Sequence, residues 1–282
     1  MTDSLFELVT LRGGSCSIRS KAHGETMHIG TDPRTEASEL HVGQQRIAER
    51  AATWRGEGPF VIWDIGLGPA ANALTAIEAL SAVADTSPVE IHSFEIDTAV
   101  LEFALRHAEE LGYLSGWEEV IARLLKDGVA FPLPRIRWQL HRGDFSRGEL
   151  TAPAPCSVFF DPYSPARNAE MWSLETFRKL WRAVGSPGAP DCLMTNYTRS
   201  TAVRVTMALA GWFVGTGVAT GEKNQTTIAS NRLGLLERPL DRGWLTRVRS
   251  STHASPLRSG RHAPGPISEE DFRTLSSLPQ FS

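Results

Sequence analysis

In the string FFDPYSPARNAEMW, Asp161 follows the apolar residues Val158, Phe159 and Phe160 and precedes Pro162 and Pro165. A carboxylate does not continue the interior of an apolar strand, so Asp161 must stand where that strand ends, in a loop that two prolines stiffen. An acid held this way can accept a proton or orient a nucleophile. Tyr163, Arg167 and Asn168 follow it and can shape the mouth of a site.

Three other strand ends carry residues of matching character. In VIWDIGLGPAANALTAI a strand ends at Asp64, turns through Gly66 and Gly68, and gives way to a helix near Asn72. Glycine permits a tight turn and close approach of a ligand to the backbone, and a helix start offers unpaired N–H donors. Ala71 replaces the third glycine of the dinucleotide fingerprint, so the turn taken alone is compatible with a purely structural role. The next strand ends in HSFEID, where Glu95 is placed to accept hydrogen bonds from ribose hydroxyls and Asp97 to begin the following helix. A third ends in HRGDFS, where Asp144 either holds the exocyclic amine of an adenine or caps its own loop. Together these ends describe a nucleoside-binding rim. No Walker-type lysine accompanies it, so a nucleoside fits better than a nucleotide. S-adenosylmethionine is the commonest such ligand; its methyl group is already activated, which leaves alignment and an acceptor to the protein.

The elements that must position these residues alternate between strand and helix. Strands are expected at 60–65, 91–94, 136–141, 158–160 and 192–195, with helices at 71–83, 98–111, 117–126, 174–184 and 201–210. Two antiparallel strands, 212–214 and 226–229, close the block around a Gly-rich loop. This pattern predicts an α/β fold with a mainly parallel, seven-stranded, Rossmann-like sheet covered by helices on both faces. Ligands bind such sheets beyond the carboxyl ends of the strands, where all four acidic positions fall. Residues 1–55 read as a small strand-rich extension followed by a helix over Glu36–Trp54, 56–235 as the main domain, and 236–282 as a basic, proline-containing tail. Residues 232–265 carry seven arginines against two acids. Beyond Ser250 the tail is expected to be largely solvated, or else a basic strap for phosphate, with a short helix over Glu269–Leu275.

Composition narrows the class. The 282 residues are 41% hydrophobic and 22% charged with a net charge of -3, which suits a globular chain and excludes one that is basic throughout. A local patch would still suffice for nucleic acid. No apolar run approaches the roughly 18 residues of a membrane helix. The N-terminus lacks the layout of a signal peptide, so a cytoplasmic location is expected. Cys16, Cys156 and Cys192 suggest neither disulfides nor zinc, and the histidines show no metal-ligand spacing, so no metal is expected.

The string from Asp161 to Trp172 resembles the signature Asp-x-Phe-x-Pro-Ala-Lys-Asn-Pro-x-Met-Trp of the methyltransferase domain of the MnmC family, which acts in tRNA 5-methylaminomethyl-2-thiouridine biosynthesis. The segment Asp64–Leu74 is similar to that family's glycine motif, with Asn72 matching its asparagine. GETMHIGTDPRTEASE is similar to the N-terminal hairpin of stand-alone members, TNYTRSTAVRVTMALAGW to the segment after the fifth strand, and LDRGWLTRVRSS to the tail. The chain departs at Pro69 and Ala70, at Thr198–Thr201 where members are glycine-rich, and in EKNQTT, which keeps Lys223 of a basic stretch. The resemblance implies a Class I S-adenosylmethionine-dependent methyltransferase that converts 5-aminomethyl-(2-thio)uridine at the tRNA wobble position to the 5-methylaminomethyl form. Asp161 would be its catalytic group and lie against the methyl donor. Asp64, Gly66, Gly68, Asn72, Glu95, Asp144 and Asp161 would bind the cofactor, and Tyr163, Arg167, Asn168, Tyr197 and Lys223 the substrate. Tyr163 and Tyr197 are the aromatic surfaces for the base. Nothing after Ser230 is long enough for a flavin-dependent domain, so another enzyme is expected to supply the aminomethyl substrate. A methyltransferase acting on a small amine, or a silent nucleoside- or RNA-binding member, are the alternatives.

Overall fold

The computed structural model describes residues 5–28, 31–83, 87–221, 224–258 and 264–282. Strands β1 (Phe6–Thr10), β2 (Cys16–Ser20) and β3 (Glu25–Thr26) form an antiparallel three-stranded sheet. Helix α1 (Pro33–Ala37) starts on an Asp32 cap and runs into a π-helical turn, Ser38–Gly43. Arg46 then turns left-handed (φ 49°) before α2 (Ile47–Ala52). The single helix expected over Glu36–Trp54 is therefore broken. The π turn swings His41 and Gln45 inward, where both are fully buried and bonded to Thr195 in the main sheet.

The main domain follows as β4 (Phe60–Ile65), α3 (Ala71–Ser81), β5 (Val89–Glu95), α4 (Ala99–Arg106), α5 (Ala108–Leu111), α6 (Glu118–Asp127), β6 (Val129–Leu133), β7 (Ile136–Arg142) and β8 (Ser157–Phe160). It continues with α7 (Leu174–Val184), β9 (Leu193–Asn196), α8 (Thr201–Leu209), β10 (Phe213–Thr216) and β11 (Thr227–Ser230). The sheet order is β10-β11-β9-β8-β4-β5-β7-β6, with β7, β5, β4, β8 and β9 parallel. Seven of these eight strands are those expected. The eighth, β6, pairs antiparallel with β7 across the turn at Pro134–Arg135, and its register slips between Ala130 and Leu133. Pro132 lies in that slip, at the sheet edge where a missing N–H costs least.

Alternation along β4 divides the core. Phe60 and Ile62 face the layer of α3, α4 and α6, while Val61, Trp63 and Ile65 face α7 and α8. The second layer also takes in α9 (Arg242–Ser250) and α10 (Glu269–Ser276). The expectation of a solvated tail past Ser250 is corrected here. Ala254, Leu257, Ile267, Leu275 and Phe281 are buried in that layer, and Leu174 N–H donates to Leu257 O at 2.8 Å. Two of the arginines in this stretch are paired, Arg249 with Glu269 and Arg258 with Asp271, each at 2.6 Å. Those acids lie just beyond the arginine-rich stretch and α10 brings them back to it. No helix among the described residues is long and apolar enough to cross a membrane, and none of their acidic, histidine and cysteine side chains cluster in a group that could hold a metal.

Candidate active site

The parallel strands β4, β5, β7, β8 and β9 deliver the turn Asp64–Gly68, Glu95, Asp144, Asp161 and Tyr197 to one end of the sheet. Gly66 (φ 88°) makes the turn, and a Cβ there would sit 2.8 Å from Asp161 O. The first strand end is thus packed directly on the fourth. Asn72, in the first turn of α3, closes the same contact by donating Nδ2–H to Asp161 Oδ2 at 2.8 Å. Gly68 N–H donates to Glu95 Oε2 at 3.0 Å, while Glu95 Oε1 accepts from Ile96 N at 2.9 Å and Asp97 N at 3.3 Å. Burial raises the Glu95 pKa, and these backbone donors pull the other way without cancelling it. Asp144 Oδ1 accepts from Ser146 N and Oγ at 2.9 and 2.6 Å, a loop-capping arrangement at the rim.

The Asp161 loop is pinned from both sides. Tyr197 Oη donates to Pro162 O at 3.0 Å, and buried Trp172 donates Nε1–H to Tyr163 O at 2.8 Å. Tyr197 lies edge-on to Trp172 at 5.5 Å, so its ring and hydroxyl both serve the loop. From outside, Ser164 donates N–H and Oγ–H to Glu25 of β3, and His23 stacks on Tyr163 with centroids 4.2 Å apart. Arg167 is half exposed, with Nε 4.0 Å from Glu25, and Asn168 N–H donates to Ser164 O at 2.8 Å. Lys223 lies outside the described residues. Beneath the loop, His41 Nε2 is 4.0 Å from Asp161 Oδ2. His23 and His41 show no ligand spacing in the sequence, and no motif in it singles out Glu25, Gln45 or Thr195. His28 lies in the segment GETMHIGTDPRTEASE. It adopts φ 57° and lies 3.4 Å from Glu36; burial disfavours its charge, but the Glu36 carboxylate prevails and its pKa is raised.

A cavity of about 480 Å³ lies at the other end of the sheet, lined by Trp181, Gly211, Trp212 and Gln280. None of the candidate residues touches it, so the chemistry is placed by the strand ends and not by this hollow.

Residues 129–232 match a family model described as S-adenosyl-L-methionine-dependent methyltransferase. Over those residues, which run from β6 to β11, the chain is similar to S-adenosylmethionine-dependent methyltransferases. Two relatives are tRNA 5-methylaminomethyl-2-thiouridine biosynthesis bifunctional proteins MnmC. That of Methylibium petroleiphilum is 25% identical, covering 84% of this chain and 36% of the relative. That of Azoarcus sp. is 27% identical, covering 78% and 35%. The chain thus spans about a third of the length of these relatives. The crystal structure of MNMC2 from Aquifex aeolicus superposes with a TM-score of 0.70 at 23% identity, covering 96% of this chain and 84% of that one, and shares the fold. These likenesses bear out the resemblance carried by the Asp161–Trp172 string.

The residues at these strand ends suit S-adenosylmethionine. Asp64 Oδ1 and Asn72 Oδ1 are buried and have no hydrogen-bond partner among the described residues. Orphaned buried polar atoms beside a glycine turn mark where a polar ligand belongs. Glu95 accepts three N–H groups, and a carboxylate has about four acceptor positions, which leaves room on Oε2 for a hydroxyl. Glu95→Ala is therefore expected to raise the cofactor Kd by roughly ten- to hundredfold, the worth of a hydrogen bond to a charged acceptor. Calorimetric titration with S-adenosylmethionine checks this, and an unchanged Kd removes Glu95 from the site.

Asp64 carries a pH signature at this site. Ser93 Oγ–H donates to its Oδ2 at 2.8 Å, and Trp138 Nε1–H donates to Ser93 Oγ at 2.9 Å. Complete burial nevertheless pushes its pKa up to about 7. A carboxyl raised in the folded state binds more protons there than in the unfolded chain, so its burial lowers stability as pH climbs from about 4 to 7. Asp64→Asn is expected to melt above wild type at pH 8, with the gap closing toward pH 5. A gap that does not change with pH would show that Asp64 does not titrate in this window.

Proposed function

We propose that this chain methylates the primary amine of 5-aminomethyl-(2-thio)uridine at the tRNA wobble position. The observation that carries the reading is Asp161, held rigidly at the fourth strand end beside the glycine turn and hydrogen-bonded to Asn72. The names of the MnmC relatives, aligned over most of this chain, support the choice of substrate. S-adenosylmethionine, when bound, supplies an electrophilic methyl group on a sulfonium leaving group. The residues of the chain then have three tasks. Gly66, Gly68, Asn72, Glu95, Asp64 and Asp144 hold the cofactor along the strand ends. Tyr163 offers a half-buried ring for the base, and Arg167 and Asn168 border the mouth. Asp161 accepts a hydrogen bond from the substrate ammonium and takes its proton, so that the nitrogen lone pair is free to attack in line. The proton lost by the amine ends on Asp161 or passes to water, and the products are the methylamino-uridine and S-adenosylhomocysteine.

The setting would be the cytoplasm, with a separate upstream enzyme supplying the aminomethyl group. The test uses tRNA from cells that lack the final methylation, incubated with the protein and methyl-labelled S-adenosylmethionine, then digested to nucleosides. Label is expected in 5-methylaminomethyl-uridine or its 2-thio form. Label confined to a pool of small amines would overturn the tRNA reading and leave only the methyl-transfer chemistry.

A further inference from the structure

His41 is buried in the π-helical turn with its ring tilted against Phe159 at 5.0 Å, yet both ring nitrogens face polar groups. Nδ1 lies 2.8 Å from Thr195 Oγ1. The direction of that bond follows from the neighbouring amide. Gln45 Nε2 donates to the carbonyl of Val158 at 3.0 Å and to Thr195 Oγ1 at 2.7 Å, while Ser157 Oγ–H donates to Gln45 Oε1 at 2.5 Å. A carbonyl can only accept, so the amide orientation is fixed and the Thr195 hydroxyl receives a proton from Gln45. The hydroxyl's own proton then needs an acceptor in a fully buried place, and His41 Nδ1 is the one present among the described residues. An imidazole that accepts at Nδ1 carries its proton on Nε2. Nε2 has no hydrogen-bond partner among the described residues and is 4.0 Å from Asp161 Oδ2, the oxygen already held by Asn72.

We infer that His41 is a positioning residue: its Nε2–H, fixed by the chain Gln45–Thr195–His41, supports Asp161 Oδ2 together with Asn72 and so sets the plane of the carboxylate. The 4.0 Å separation is longer than a hydrogen bond, so this role requires the pair to close when ligands enter. Catalytic hydrogen bonds commonly tighten this way when ligands enter. Burial holds the His41 ring neutral, with its pKa lowered to about 3, so it acts as a donor and does not take the substrate's proton. The inference rests on the proposed role of Asp161 as acceptor.

The test has a spectroscopic and a kinetic arm. In the full chain labelled with ¹⁵N-histidine, with the His41 signals assigned by their loss in His41→Gln, the ring is expected as the Nε2–H tautomer between pH 6 and 8. Asp161→Asn should move its Nε2–H resonance. A Nδ1–H tautomer, or a resonance indifferent to Asp161→Asn, overturns the inference on protein that needs no turnover. In the kinetic arm, His41→Phe keeps the ring volume without the donor. It is expected to lower kcat about ten- to hundredfold with the tRNA KM and the S-adenosylmethionine Kd unmoved, the scale set by misplacing a reacting group. His41→Gln should recover part of that loss. If Asp161→Asn abolishes turnover while His41→Phe does not reduce it, the His41 assignment fails and the Asp161 reading stands. If Asp161→Asn turns over normally, both fail.

Discussion

Asp161→Asn is expected to lower kcat by about 10² to 10⁴ while leaving the cofactor Kd and the melting temperature close to wild type. Asparagine keeps a side-chain oxygen for Asn72 Nδ2–H, which donates to Asp161 at 2.8 Å, so the contact between the first and fourth strand ends survives. The loop is anchored independently by Tyr197 on Pro162 O and by Trp172 on Tyr163 O, so its path does not depend on the charge. What disappears is an anionic acceptor for the proton of an amine that is mostly charged at neutral pH. The loss amounts to about 3 to 5 kcal/mol of barrier. Steady-state kinetics over pH 6–10 adds a second reading. With no acceptor in the site, turnover should recover as alkali deprotonates the amine in solution, and wild type should show a shallower rise. The charge at Asp161 also contributes to raising the Asp64 pKa, so the pH-dependence of stability should weaken in the same variant. A kcat within a factor of about three of wild type would remove Asp161 from the proton's path.

Much of this site was legible because its residues are ends of elements. The apolar run 158–160 with proline behind it fixes a buried strand and its exit, and β8 ends at Phe160. The 3.6-residue spacing in Leu174–Val184 fixes α7 to the residue. Asp64, Gly66, Glu95 and Asp161 meet because parallel strands put their carboxyl ends on one edge, a consequence of topology that alternation alone implies. The parts that stayed hidden depend on long-range contacts. His41 and Thr195 lie 154 positions apart, and only a π turn brings the ring inward, with no periodicity to announce it. His23 and Glu25 come over the loop because a small sheet packs there, and nothing in their own sequence requires it. Strand β6 reads as a loop because Phe131–Pro132 breaks its alternation, and its pairing is supplied by β7. Two of the tail's arginines, Arg249 and Arg258, read as unpaired because their acidic partners sit later in the chain, on α10.

Gly66→Ala should be the most damaging single methyl group that can be added to the turn. The residue has φ 88°, a region where a side chain costs about 1 to 2 kcal/mol. The new Cβ would also meet Asp161 O at 2.8 Å and Asp161 C and Pro162 N at 3.0 Å, all backbone atoms. A side chain could rotate away, but this backbone cannot. It leaves β8 inside the core, where Phe160 is fully buried, and its next residues are tied to Tyr197 and Trp172. Relief must come from prising the fourth strand end off the first, which strains the Asn72–Asp161 bond. Strain and overpacking together predict a destabilisation of about 2 to 5 kcal/mol. Turnover should fall further than stability explains, because Asp161 is the group displaced. Gly68→Ala is the discriminating companion. Its φ of 51° lies within the left-handed region an alanine can occupy, and the nearest atom to its Cβ is Met27 Sδ at 3.9 Å. That variant should lose only about 1 kcal/mol and melt near wild type. Thermal unfolding of the pair decides the matter: equal melting temperatures would mean that the Gly66 turn and the Asp161 loop are not in the close contact that couples cofactor turn to acceptor.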